Sequence, residues 1–136
     1  MALSISTTPY ALVVDDEPLV RMLACDILED AGFRTLDSGT GDAAMAILKA
    51  HAEEIVLLFS DVEMPGRLDG FALARETARI WPRISIVVAS GRCSPAPGDM
   101  PEHARFIPKP FSAGMIHDHL REILPDGRKP EPLRSS

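Results

Sequence analysis

The sequence predicts an α/β fold, a doubly wound five-stranded parallel sheet assembled as (βα)5. Three observations carry this. Strand-like runs alternate with helical patterns five times along 136 residues. The inner runs are apolar at every position rather than at every second one, which marks strands covered on both faces. The connections between runs suit right-handed crossovers, which set helices on both sides of the sheet.

The elements follow in order. Residues 10–14, Tyr-Ala-Leu-Val-Val, form the first strand. Pro18 opens a helix at the position where a missing N–H does no harm, and Val20, Leu23, Ile27 and Ala31 recur on its inner face. Gly32 stops it. Residues 33–37 read as an edge-like strand with interleaved polar side chains. Thr40 caps a second helix, with Asp42 in its first turn and Ala43, Ile47 and Leu48 on one face. Residues 55–60 are the central buried strand. Met64-Pro65-Gly66 forces a turn before a third helix over roughly 71–81, ended at Pro82. Residues 85–89 and 105–108 supply the last two strands. Ser112 caps a final helix that turns Met115, Ile116, Leu120, Ile123 and Leu124 inward.

One unit is irregular. Between residues 89 and 105 a fourth helix is due, but Pro95, Pro97, Pro101, Gly91 and Gly98 cannot sustain one. A single turn at 101–104 is the most that is expected. Residues 1–9 read as a flexible N-terminus, 10–124 as one domain, and 125–136 as a loose tail without periodicity.

Composition narrows the function. A net charge of −6, with no cluster of Lys and Arg, argues against nucleic acid as a partner. No apolar run reaches membrane-spanning length, and the N-terminus lacks a signal peptide's basic start and apolar segment. A cytoplasmic protein with Cys25 and Cys93 reduced is the expectation.

The chemistry gathers at the strand ends. Asp15 and Asp16 follow the first strand, Asp61 the third, Ser90 the fourth and Lys109 the fifth. In a parallel sheet all of these reach the carboxyl edge, where ligands bind. Alone, Asp15-Asp16-Glu17 reads as a solvated helix entry, Lys109 as a surface lysine between prolines, and Ser90 as turn chemistry. Together they form a site for a divalent cation and a phosphoryl group. Carboxylates this close repel, and Mg²⁺ (or Mn²⁺) relieves the repulsion. Asp16 and Asp61 are the expected direct ligands, with Asp15 through water and the Glu63 carbonyl as a further oxygen. Asp61 is also the best nucleophile for phosphorus, Lys109 the cation for a phosphoryl oxygen, and Ser90 a hydroxyl donor to another. The histidines offer no competing site: His117 and His119 are two apart on a helix, and His51 and His103 lack partners at ligand spacing.

These motifs resemble the receiver domain of bacterial two-component response regulators, over roughly residues 10–124. The resemblance rests on Val-Val-Asp15-Asp16-Glu17, on Phe-Ser-Asp61-Val-Glu-Met-Pro-Gly, on Asp69-Gly70 opening the third helix, on Val-Val-Ala-Ser90-Gly, and on Phe-Ile-Pro-Lys109-Pro-Phe, in that order. It implies a flavodoxin-like strand order of 2-1-3-4-5. It implies Asp61 as phosphoacceptor, taking phosphate from a phosphohistidine on a histidine kinase or histidine phosphotransferase. Ser90 and Phe106 would be the switch pair, and the Lys109–Pro110 bond would be cis.

The expected role is a non-enzymatic phosphorelay switch without an output domain, acting through a downstream protein, or a phosphate relay or sink. Homodimers would form through faces that are altered here. The chain departs from the family pattern in its missing fourth helix, part of the usual output face, and in an extra residue within 66–69. Glu63 and Arg92 fall on the site rim, where pairing across the site and independent solvation are both open. The alternative is a Mg²⁺-dependent phosphatase with an aspartyl nucleophile, similar to the haloacid dehalogenase group. That group begins with an Asp-x-Asp on its first strand; here the acid pair comes first and Glu63 stands where a second acid would act.

Overall fold

The computed structural model describes residues 8–125 and Pro130. The expectations for 1–7, 126–129 and 131–136 lie outside the described residues. Nine elements run in the order β1 (Tyr10–Val14), α1 (Pro18–Asp30), β2 (Arg34–Ser38), α2 (Gly41–His51), β3 (Ile55–Asp61), α3 (Gly70–Ile80), β4 (Ser85–Ser90), β5 (Arg105–Pro108) and α4 (Ala113–Ile123). The sheet has the strand order β2-β1-β3-β4-β5 with every pair parallel, which is the doubly wound arrangement the sequence implies.

Burial explains the apolar runs. All seven residues of β3 are buried, because helices cover both faces of the central strand. On one side α1 and α4 contribute Ala24, Ile27, Leu28, Ile116 and Leu120, joined by Leu124 at the C-cap of α4. On the other, α2 and α3 contribute Ala44, Leu48, Phe71, Leu73 and Ala74. The expected caps form: Thr40 accepts from the Ala43 N–H and Ser112 from the Met115 N–H, both at 3.1 Å. Asp69 caps α3, accepting from the Ala72 N–H at 2.8 Å.

Several details differ from the reading of the sequence. The buried stripe of α1 runs through Ala24, Cys25, Ile27 and Leu28, and Leu23 is 50% exposed. In α2 the inward alanine is Ala44, with Ala43 at the surface. Both stripes obey helical spacing, and the surface each helix packs against chooses between them. β2 begins at Arg34, since the Phe33 N–H turns back to the Leu28 carbonyl (3.0 Å) in the turn that ends α1 at Gly32, whose φ is +106°. β3 and β4 each run one residue further, so that Asp61 and Ser90 are the last residues of their strands.

The segment between β4 and β5 has no regular helix. It holds single turns closed by Asp99 N–H to the Ala96 carbonyl and Ala104 N–H to the Pro101 carbonyl. It still lends Cys93, Met100 and Ala104 to the α2–α3 side of the core. Beside it lies a groove of roughly 350 Å³ whose lining includes Ala78, Ile84, Ile86, Pro101, His103 and Ile123. Among the described residues, no helix is long and apolar enough to cross a membrane.

Candidate functional site

The carboxyl edge of the sheet assembles the site. β1 ends one residue before Asp15, which is 4% exposed, and Asp61 closes β3 at 5% exposed. Lys109, one residue past β5, extends its Nζ between them, donating to Asp15 Oδ2 and Asp61 Oδ1 at 3.0 Å each. The Lys109–Pro110 peptide is cis. Asp16 is exposed at the rim. One carboxylate oxygen from each of Asp15, Asp16 and Asp61 lies within 4.8 Å of the others.

Why these carboxylates stay together is a matter of backbone. The Asp15 N–H donates to the Ser38 carbonyl at 3.1 Å, and Asp15 Oδ1 accepts the Glu17 N–H at 2.9 Å. Asp61 is pinned from below by α3: Gly70 donates to the Val62 carbonyl at 2.8 Å, and a Cβ at Gly70 would collide with the Asp61 carbonyl oxygen. The β3–α3 loop with its extra residue folds back onto α2. Gly66 adopts φ +103°, the Arg67 N–H reaches Asp42 Oδ2 at 3.3 Å, and Leu68 packs on Gly41.

Electrostatics follow from burial. Burial raises the Asp61 carboxyl above the usual range, opposed by its bond to Lys109 and reinforced by the nearby Asp15 charge. For Lys109, burial is the largest influence and lowers it. The bonds and charges of Asp61 and Asp15 together outweigh burial, leaving the ammonium raised.

Ser90 ends β4 one residue past Ala89, the register partner of Asp61, and is 2% exposed. Its hydroxyl accepts the N–H groups of Arg92 (3.0 Å) and Cys93 (3.1 Å) and donates to the Glu63 carboxylate at 3.3 and 3.4 Å. Cys93 Sγ donates to the same carboxylate at 3.0 Å, and that bond raises the thiol pKa. Glu63 therefore turns to Ser90 and Cys93. Among the described residues it forms no ion pair with Arg92, and the rim pairing entertained from the sequence is not formed. Phe106 is half-buried on β5, opposite Val88 of β4.

The structure thus brings Asp15, Asp16, Asp61 and Lys109 to one point, sets Ser90 and Glu63 beside them, and keeps Phe106 one strand away. Sequence reasoning missed two participants. Arg21 donates to the Asp15 carbonyl at 2.7 Å, and its only prior signal was being the sole cation in α1. Cys93 was read as an unremarkable loop thiol, although a serine that ends a strand before a turn draws the residue three further on toward its hydroxyl.

Known proteins agree with this geometry. The model of the response regulator receiver domain matches residues 11–121. The sensor kinase CckA of Brucella abortus is 32% identical over 126 residues, covering 90% of this chain and 13% of that protein. The nitrogen assimilation regulatory protein NtrX of Azorhizobium caulinodans is 36% identical over 109 residues, covering 77% of this chain and 24% of that protein. The chain thus spans less than half the length of such relatives. Among solved structures, the receiver domain of the hybrid histidine kinase CckA superposes with a TM-score of 0.73 at 28% identity, covering 85% of this chain and 99% of that one.

Proposed function

This chain belongs to the response regulator receiver family of two-component signalling, and from that membership we propose that Asp61 accepts a phosphoryl group from a phosphohistidine on a histidine kinase or histidine phosphotransferase. The observation that supports this most directly is Lys109 Nζ at 3.0 Å from both Asp15 and Asp61, at the edge of a parallel sheet. Asp61 supplies the attacking oxygen: a P–O bond forms as the P–N bond to the donor imidazole breaks, and that nitrogen leaves with the electron pair. Lys109 sits where a phosphoryl oxygen would develop charge, and its ammonium stays protonated throughout the physiological range.

The acid cluster suits a hard divalent cation. Carboxylate oxygens within 4.8 Å of one another fit an ion with oxygens at roughly 2.1 Å when one carboxylate reaches it through water. Asp16 and Asp61 would hold Mg²⁺ directly, Asp15 through water, and the Glu63 carbonyl would add an oxygen. Bound there, the ion would neutralise charge on the carboxylate and the phosphoryl group.

Ser90 would then exchange acceptors, giving its hydroxyl to the phosphoryl group instead of Glu63, and Phe106 would move into the space vacated. The output is carried by protein partners, or the chain acts as a phosphate relay or sink. The test is labelling with acetyl phosphate and with a partner kinase. Wild type should take up one phosphoryl group per chain and Asp61→Asn none, with the fold intact by circular dichroism. Labelling that persists in Asp61→Asn would place the nucleophile elsewhere. Steady turnover of a generic phosphate ester would favour the aspartyl phosphatase instead.

A further inference from the structure

We infer that Arg21 is a positioning residue for the metal-binding turn: through the Asp15 carbonyl it fixes the peptide plane that aims Asp16 at the site. The inference rests on reading Asp15, Asp16 and Asp61 as the cation site.

The turn between β1 and α1 needs such a support. Glu17 at the N-cap makes no side-chain cap bond, and the first turn of α1 carries no acid. Asp15 is instead held at all of its polar groups. Its N–H binds Ser38, its two carboxylate oxygens bind the Glu17 N–H and Lys109, and its carbonyl accepts from Arg21 Nη1 at 2.7 Å. That carbonyl belongs to the Asp15–Asp16 peptide, so fixing it fixes the direction in which Asp16 leaves the main chain. Asp16 itself is exposed and makes no hydrogen bond among the described residues. Its aim therefore depends on the backbone that carries it.

Arg21 is itself held in place. Its Nε lies 3.9 Å from Asp37 Oδ2 in β2. A Cβ at Gly39 would sit 3.1 Å from Nη1, tighter than ordinary contact. Gly39 is not among the glycines with positive φ, so room for the guanidinium is what glycine provides at that position. A charge-assisted bond of 2.7 Å, backed by an acid on a second strand and given room by Gly39, is how a side chain supports a metal-binding turn.

The sign of the effect separates positioning from simple charge. Removing a cation near three carboxylates would tighten Mg²⁺ binding by Coulomb's law. Losing the aim of Asp16 would weaken it. The experiment titrates Mn²⁺ by electron paramagnetic resonance and Mg²⁺ by calorimetry, on the unphosphorylated full chain. Arg21→Ala should bind either ion about 10- to 100-fold more weakly, the usual effect of losing an outer-shell partner. Arg21→Lys should recover much of that affinity, because an ammonium can still reach the carbonyl. The melting temperature of Arg21→Lys should match wild type, and the labelling rate of Arg21→Ala by acetyl phosphate should return toward wild type at saturating Mg²⁺. Unchanged or tighter binding in Arg21→Ala overturns the inference, as does a loss that Arg21→Lys leaves unrepaired. Asp16→Asn serves as the control. If it too binds normally, the cation site itself is misread; if it alone binds weakly, only the role of Arg21 is lost.

Discussion

Burial raises the Asp61 carboxyl, and the Asp15 charge adds to the effect, so folding favours its protonated form. A carboxylate whose folded pKa lies above its unfolded one stabilises the fold below the unfolded value and loses that contribution as pH rises through the folded one. At neutral pH without metal, the ionised Asp61 is therefore a liability. Asp61→Asn should unfold at higher urea than wild type at pH 7 in metal-free buffer, with the gap closing as pH falls toward 3.8. Equal midpoints at pH 7 would show that Lys109 offsets the burial fully. Cys93 offers a second titration. Its thiol is raised first by the bond to Glu63, so Glu63→Ala should lower its pKa and shift the pH–rate profile of alkylation to lower pH. Cys25, buried and pushed up to about 11, stays silent in that assay. A profile unmoved by Glu63→Ala would mean that the 3.0 Å contact does not hold the thiol. At this scale the strand-end acids were legible because each broke an apolar run. Cys93 and Arg21 were not, because each acts through a contact that only the folded loops create.

Within elements, local hydrogen bonding was legible and packing was not. Thr40 and Ser112 announce their caps through side chains that bond three residues away. Leu23 and Ala43 were misplaced because two helical stripes one residue apart satisfy the same periodicity, and only the partner surface chooses between them. The glycines sharpen the distinction. Gly70 at the start of α3 presses on the Asp61 carbonyl, where added bulk meets backbone that cannot move without shifting the site. Gly70→Ala should destabilise by about 3 kcal/mol or more, the upper end of overpacking effects. Gly114 in α4 has only Ser112 Oγ near a would-be Cβ, at 3.9 Å. Gly114→Ala should stabilise by roughly 0.5–1 kcal/mol through helix propensity alone. Urea unfolding reads both, and similar small effects from the two would sink the claim that α3 rests on the Asp61 backbone.

Across the whole molecule, the strand order was legible through the resemblance its motifs carry, and the missing helix directly, since prolines and glycines between β4 and β5 forbid a regular helix wherever it would pack. The groove beside that segment was not, because its walls come from residues 78–86, the turn at Pro101 and the end of α4 at Ile123, which are distant in sequence. The acid cluster couples the site to global stability in the same long-range way. Asp15, Asp16 and Asp61 come from two loop positions and a strand end, and the repulsion between Asp61 and the adjacent pair exists only when the sheet is assembled. A cation bound there favours the folded state alone, adding about 2.7 kcal/mol when its free concentration is 100 times its dissociation constant. Wild-type thermal unfolding should therefore shift upward with Mg²⁺ and keep rising with the logarithm of its concentration. Asp16→Asn should flatten that dependence, whereas Ser90→Ala, outside the acid cluster, should keep it. A midpoint that ignores Mg²⁺ in wild type, or rises equally in Asp16→Asn, would mean that the three carboxylates do not share an ion. Their closeness would then rest on the backbone that carries them and on Lys109, which bonds Asp15 and Asp61.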